Sequence, residues 1–447
     1  MRRKPARMGP KSDNLLPVLI RFRVSNFRSI KDEQELSMVA SSLAGSPGSL
    51  VHLQDEGLDL VRVAAIYGAN AAGKSNVLNA LRFMSAAVVK SHRGWAPGAP
   101  VPREPFLLDA ACRMAASRFE ADFVLDRVHY RYGFSLDSER ILEEWLYAFP
   151  NRRKRLWFRR DAKAEEPFEF GKNLRGNNRT IASLTRGNSL FLSAAAENNH
   201  EMLLPIHSWF ASRLVFSTQA NAFMTARLLT DRKPLVLDLL RLADLGVTDI
   251  APKELPNDQV AKIELLIAVL KDRIGASEEE LLEGLGFSDF RSVELKHSSS
   301  GDPAGISLPL EMESEGTRTW LSLAGPLLTV LETGSVLCVD ELDRSLHPRL
   351  ALEAIRIFED PVRNPRNAQL IFNTHDTALL GNLLSGSGLR RDEVWFVEKD
   401  TAGATHLYPL TDFKPRRDEN LERGYLQGRY GAIPFIASAP SAVAEDD

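Results

Sequence analysis

Gly68-Ala69-Asn70-Ala71-Ala72-Gly73-Lys74-Ser75 decides how the rest of this chain is read. Residues 61–67 before it form a mostly apolar run, as a strand buried on both faces should. After it, Val77, Leu81, Met84 and Val88 fall on one face of a helix. A Gly-x-x-x-x-Gly-Lys-Ser string between a strand and a helix is a phosphate loop in its confirming context. A chance glycine-rich turn is the competing reading, and the flanking pattern weighs against it. The glycines let backbone N–H groups turn inward around phosphate oxygens. The helix start adds the positive end of its dipole. Lys74 is placed to reach the β- and γ-phosphates of ATP, and Ser75 to bind Mg²⁺. Gly68, Asn70, Ala71, Ala72, Gly73, Lys74, Ser75 and Asn76 are therefore candidate ATP-binding residues.

Working outward, residues 336–339 read as an apolar strand that ends in Asp340-Glu341. Asp340 can meet the Mg²⁺ held by Ser75. Glu341 is placed to accept a proton from an attacking water. Solvated acids often end a strand, but here a phosphate loop lies upstream. Cys338, in the same strand, reads as a small buried hydrophobe rather than a reactive thiol. His375 follows the strand 370–373 and can stand near the phosphates, although a lone histidine in such a place is usually structural. Ser314, Glu315, Gly316 and Thr317 open a helix, with Ser314 as N-cap. A helix start can sense a γ-phosphate; taken alone, a plain helix cap is the better reading.

The chain has 447 residues, a net charge of −3 and two cysteines, Cys112 and Cys338. That length allows a large core with an inserted lobe. The charge gives no global basic field for nucleic acid. Two cysteines exclude a disulfide framework and fit a reducing cytoplasm. No run approaches the ~18 apolar residues of a membrane span, and no histidine–cysteine spacing suggests a metal site. Residues 1–17 are basic, lack the apolar core of a signal peptide, and read as a disordered leader. The expected order is a first α/β part over 18–100, an antiparallel β lobe over 101–187 and a helical insert over 188–290. A second α/β part follows over 291–447. Within the insert, Ile263, Leu266, Ile267, Leu270 and Ile274 form a stripe, and Ser277 with Glu280 a capping box. A helix is expected from Glu315, interrupted by Pro326 and stopped at Gly334.

Taken together, these segments resemble the ABC-type ATPase heads of the RecF, SMC and OLD group. The resemblance implies that Ser314, Glu315, Gly316 and Thr317 are a signature acting in trans on a partner's ATP. It also implies that residues 342–347 are a D-loop with Asp343 and Ser345, and that His375 is a switch histidine with a catalytic role. Asn26-Phe27-Arg28-Ser29 is similar to the first-strand element that approaches the nucleotide, which adds Arg28 and Ser29 to the ATP-binding set. No Q-loop glutamine stands out. The fold implied is α/β, an ABC-type P-loop ATPase head with an antiparallel β lobe and a helical insert. Tyr130-Arg131-Tyr132-Gly133-Phe134 and residues 141–146, 313–317, 340–348, 390–399 and 425–434 resemble bacterial AAA-family ATP-binding proteins of the RloA and AbiL kind. The PARIS defence ATPase belongs to the same broad group.

That resemblance implies a cytoplasmic, dimerising or higher-order ATPase switch in phage defence, acting through a separate effector, a nuclease or TOPRIM-like protein. The insert and the 425–434 tail are the expected effector surfaces. A second reading is DNA repair or maintenance by a RecF- or SMC-like ATPase. Arg152-Arg153-Lys154-Arg155-Leu156-Trp157-Phe158-Arg159-Arg160 could hold nucleic-acid phosphates, but a solvated hairpin whose aromatics serve the lobe is preferred. A nuclease acting alone ranks last, because no acidic cluster of the kind found in the TOPRIM domain of OLD-type nucleases is visible after residue 399.

Overall fold

The computed structural model describes residues 17–41, 50–217, 222–254, 261, 265, 291–302, 304–381, 389–416 and 419–434. Its first third runs β1 (Val18–Ser25), β2 (Gln34–Ser37), β3 (Leu50–Leu53), β4 (Leu58–Val61), β5 (Val63–Gly68), α1 (Lys74–Gly94) and α2 (Ala110–Met114). The strands β6 (Ser117–Leu125), β7 (Val128–Leu136), β8 (Ile141–Ala148), β9 (Arg155–Asp161) and β10 (Phe168–Phe170) follow. Next come α3 (Asn178–Leu184), α4 (Phe191–Glu197), α5 (Leu204–Ser212), β11 (Leu214–Ser217), α6 (Ala222–Leu242), β12 (Val247–Glu254), β13 (Arg291–His297) and β14 (Ile306–Pro309). The last part holds α7 (Glu315–Thr333), β15 (Val336–Val339), α8 (Pro348–Glu359), β16 (Gln369–Asn373), β17 (Val394–Lys399), β18 (Thr405–Pro409) and α9 (Leu421–Leu426).

Two large sheets organise most of these elements, beside a three-stranded sheet, β12-β13-β14, and the β3-β4 pair. One is antiparallel, in the order β10-β9-β8-β7-β6-β1-β2. The other runs β11-β15-β16-β5-β17-β18 and is parallel except for its last strand. Inner strands of a parallel sheet are covered on both faces, which is why β5, β15 and β16 are buried at every position. Their side chains alternate between two cores. Ala64, Ile66, Cys338 and Ile371 face a first core with α1 and the antiparallel sheet. Val63, Ala65, Tyr67, Leu337 and Leu370 face a second, with Trp320 of α7 and Ile355 of α8. On α1 the stripe Val77, Leu81, Met84 and Val88 is buried in the first core.

Glu144 ties the antiparallel sheet to the helices. It is fully buried, takes N–H bonds from Phe191 (2.6 Å) and Leu192 (3.0 Å) at the start of α4, and receives the Tyr132 hydroxyl at 2.9 Å. The basic stretch is likewise structural. Arg160 is buried against the Ser189 carbonyl at 2.7 Å, Arg159 pairs with Glu143, Phe158 is core, and Trp157 packs edge-on to Tyr130.

Three stretches differ from the sequence reading. Residues 188–290 do not read as one helical insert: α4 and α5 pack on α1, and β11 pairs in parallel with β15. A four-residue apolar run between helical stretches carries too little periodicity to be read as a core strand. The stripe 263–274, Ser277, Glu280 and the leader 1–16 lie outside the described residues. Secondly, α7 is not interrupted at Pro326. Thr225 of α6 bridges the turn before the proline, donating to the Leu321 carbonyl at 2.6 Å and accepting the Gly325 N–H at 2.9 Å. Thirdly, the 425–434 tail is only partly open: Tyr425, Tyr430 and Ala432 are buried in the second core, while Leu426, Gln427 and Arg429 are exposed.

Candidate nucleotide-binding site

The parallel strands deliver their ends to one edge of the sheet. β5 ends at Gly68, β15 at Val339 beside Asp340, β16 at Asn373 and β17 beside β5. Gly68 and Gly73 are required there. A Cβ on Gly68 would come within 2.3 Å of the Val397 carbonyl oxygen. Gly73 has φ 111°, and a Cβ on it would come within 2.2 Å of Thr405 Oγ1. α1 then starts at Gly73 with no side-chain cap and no acid in its first turn. Ala71 sits at φ 63°, a left-handed turn of the loop.

Lys74 is buried, and its Nζ donates to the carbonyls of Gly68 (2.8 Å) and Ala69 (3.1 Å) and stands 3.5 Å from His375 Nδ1. Burial lowers its pKa, opposed by Glu341, Asp343 and Asp340. His375 is pushed down by burial and then by the Lys74 charge, so its ring is neutral at pH 7 and able to accept from the ammonium. Ser75 Oγ donates to Asp340 Oδ1 at 2.8 Å, across 265 positions of sequence. Asn76 Nδ2 donates to Ser29 Oγ at 2.7 Å, and the Thr405 hydroxyl donates to the Ala72 carbonyl at 2.9 Å and lies 2.7 Å from Ser29 Oγ. Ser29 thus braces the loop from below. The Arg28 guanidinium pairs with Glu104 (2.8 and 3.1 Å), and no bond from it to the loop is found among the described residues.

Two residues absent from the sequence reading complete the group. Asn373, fully buried, donates to Asp340 Oδ1 and accepts the Glu341 N–H. A polar residue closing an apolar strand just before Thr374-His375 was the available signal. Thr405 gives no such signal, because only the fold brings it under Gly73. Glu341 has φ 56° and carries its half-exposed carboxylate 3.9 Å from Arg344. The Asp343 carboxylate accepts the His375 N–H at 3.1 Å. Ser345, at φ 58°, places its carbonyl 2.9 Å from where a Gly316 Cβ would be. The Ser314 hydroxyl caps α7, accepting the Thr317 N–H at 3.1 Å, and Glu315 lies in the first turn. Ser314, Gly316, Thr317 and Ser345 line a cleft of about 830 Å³ whose walls include none of Lys74, Ser75 or Asp340. Beside Asp340, β11 ends at Ser217.

This donor set fits a nucleoside triphosphate with its magnesium ion. An uncapped helix start, two glycines with no space for a side chain, a lysine and a Ser–Asp pair converge on one point. Among the described residues no three His, Cys, Asp or Glu side chains form a metal cluster, and no helix is long and apolar enough to cross a membrane.

Among solved structures, the SMC head domain from Thermotoga maritima is 13% identical, over 88% of this chain and 98% of that one, with a TM-score of 0.37. The Smc head domain with an extended coiled coil, bound to the C-terminal domain of ScpA and derived from Pyrococcus furiosus, is 12% identical over 93% and 99%, with a TM-score of 0.39. No curated protein matches. The α/β ATPase head rests on the strand order itself, with the phosphate-loop, His375 and Asp340 strands adjacent and parallel and an antiparallel sheet across α1. The family model described as "AAA domain, putative AbiEii toxin, Type IV TA system" matches residues 63–381, from the start of β5 to just past the His375 turn, and the chain belongs to that family.

Proposed function

We propose that this protein binds and hydrolyses ATP as a dimerising switch that holds or releases a separate effector in anti-phage defence. The Ser75–Asp340 bond carries the reading, because it joins the phosphate loop to an acidic strand end far along the chain. Lys74 would hold the β- and γ-phosphates, and Ser75 and Asp340 would hold Mg²⁺, which neutralises phosphate charge when bound. Glu341 would accept the proton of the attacking water, with His375 beside the γ-phosphate. Ser314 and Gly316 would close on ATP bound to a second copy, with Asp343 and Ser345 linking the two sites.

The family description names a toxin of a type IV toxin–antitoxin system, and a defence role fits such a family. The DNA reading has less support, since several cations of the 152–160 stretch are engaged by the protein itself. Arg152 Nε donates to the Asp55 carbonyl, Arg159 pairs with Glu143, and Lys154 lies on the Tyr147 ring.

Two assays test the proposal. Lys74→Ala should bind ATP at least tenfold more weakly and lose turnover, since a charge-assisted contact to phosphate is removed; wild-type hydrolysis by the variant would refute the site. Co-expression with the products of adjacent genes, followed by pull-down, should recover one effector whose retention changes with ATP. Full phage protection by this protein alone would refute effector control.

A further inference from the structure

Tyr67 comes immediately before Gly68, and its side chain lies on the face of β5 away from α1. It is fully buried, and its hydroxyl donates to the carbonyl of Asp376 at 3.2 Å. One turn back, the Thr374 N–H donates to the Ile66 carbonyl at 3.1 Å. The three residues 374–376 are therefore tied to β5 at both ends, and His375 between the ties faces Lys74. Burial, with Asp376 and Asp343 nearby, pushes the Tyr67 pKa far up, so the phenol stays a donor.

Behind Tyr67 stands the C-terminal segment. Tyr425 of α9 meets the Tyr67 ring edge-on at 5.8 Å and stacks on Phe396 at 5.4 Å. Its hydroxyl donates to the Ala432 carbonyl at 3.1 Å, and Phe396 stacks in turn on Tyr430 at 5.7 Å. α9 also presses on the turn after His375: a Cβ on Gly381 would come within 2.2 Å of Glu422 Oε2. A continuous packed path thus runs from residues 421–432 through Tyr425 and Tyr67 to the backbone beside His375.

We propose that Tyr67, backed by Tyr425, is a positioning residue for His375, so that the C-terminal segment sets the hydrolysis rate without touching the nucleotide. The proposal rests on the reading that His375 serves hydrolysis at this site. A partner that pulls on the segment would act on turnover through this path, because packed residues pass on discrete shifts rather than absorbing them.

The test uses the full chain. ATP-titrated turnover is measured for wild type, Tyr67→Phe and Tyr425→Leu, each also in a His375→Ala background. Tyr67→Phe removes one hydroxyl and keeps the ring, so the fold should survive. Its kcat should fall about fivefold, the factor that one hydrogen bond represents, with KM for ATP unchanged. Tyr425→Leu should likewise lower kcat and not KM. Neither substitution should lower kcat further once His375 is alanine, as coupled residues behave in a double-mutant cycle. Wild-type kcat in Tyr67→Phe, or a loss that persists undiminished with His375→Ala, would overturn the proposal. If Tyr425→Leu does not fold, Tyr67→Phe decides alone. A wild-type protein that hydrolyses no ATP would instead refute the proposed function, and this inference with it.

Discussion

Asp340 and Glu341 are neighbours in sequence but not in surroundings. Asp340 is pinned between Ser75 and Asn373, whereas Glu341 turns through φ 56° and leaves its carboxylate half-exposed near Arg344. A left-handed conformation at a non-glycine residue costs roughly 1–2 kcal/mol, and the Asn373 amide that accepts the Glu341 N–H helps to hold it. Division of labour follows from this geometry. Glu341→Gln should keep ATP binding and slow turnover about 10²- to 10⁴-fold, the range for loss of a general base. Asp340→Asn should instead raise the Mg²⁺ concentration needed for turnover. Single-turnover rates across a Mg²⁺ titration separate the two, and small, equal effects would remove the assigned roles. The phosphate loop and the acidic pair were legible in the sequence because each is a short contiguous string with a known chemistry. Asn373 and Thr405 were not, because Asp340 and Ala72, their partners, lie 33 and 333 positions away and only strand order brings them together.

Elements show how the chain absorbs features that look disruptive in sequence. A proline within a helix removes one hydrogen bond and crowds the preceding turn, yet α7 runs through Pro326 with Thr225 bridging Leu321 and Gly325. Thr225→Val should therefore cost about 1–3 kcal/mol, because two buried backbone groups lose their partner; chemical denaturation measures it, and an unchanged midpoint would show that α7 needs no bridge. A second element-level device lies at the other edge of the parallel sheet. Glu359, the last residue of α8, lies beside Glu393, just before β17, among Arg62, Arg356, Arg390 and Asp392. Burial raises both carboxyls, Glu359 to about 7 and Glu393 strongly upward. A carboxyl raised on folding contributes stability in full below its unfolded value, and that contribution is lost as pH rises through the folded value. Relative to Glu359→Gln, the wild-type melting temperature should thus decline between about pH 5 and 8, a difference that sets aside the opposite slope from the lowered histidines His92, His200, His207 and His375. An identical pH dependence in wild type and Glu359→Gln would contradict this contribution of the pair. Strand β11 marks the limit of sequence reading at this scale: four residues beside Asp340 carry no period of their own, whereas β5 and β15 are announced by the motifs they carry.

At the scale of the molecule, two cores share one parallel sheet, and the candidate site sits where its strands end. The layered α/β plan was legible from the alternation of apolar runs and helical stripes, but the path of residues 188–254 and the burial of the tail were not, because both depend on packing between distant segments. Ser314 and Gly316 line a cleft that includes none of Lys74, Ser75 or Asp340, while Glu315, from the same helix start, lines a second cleft with Asp340 and Glu341. We propose that Ser314 and Gly316 serve a second copy's nucleotide, which makes shared sites the central claim. Gly316 is a poor position for testing it, since any Cβ there crowds the Ser345 carbonyl of its own chain. Ser314→Asp is better: aspartate caps a helix as well as serine, while its charge would face a partner's phosphate across a closed interface, where like charges cost several kcal/mol. The decisive measurement is an ATPase titration of Lys74→Ala against Ser314→Asp, each inactive alone, with subunit exchange verified by tagged pull-down. A mixed dimer keeps one intact site, formed by the cradle of one subunit and the signature of the other, so turnover should reappear and peak near equal amounts. Exchange without any return of activity, or normal hydrolysis by Ser314→Asp on its own, would contradict sites shared between two copies.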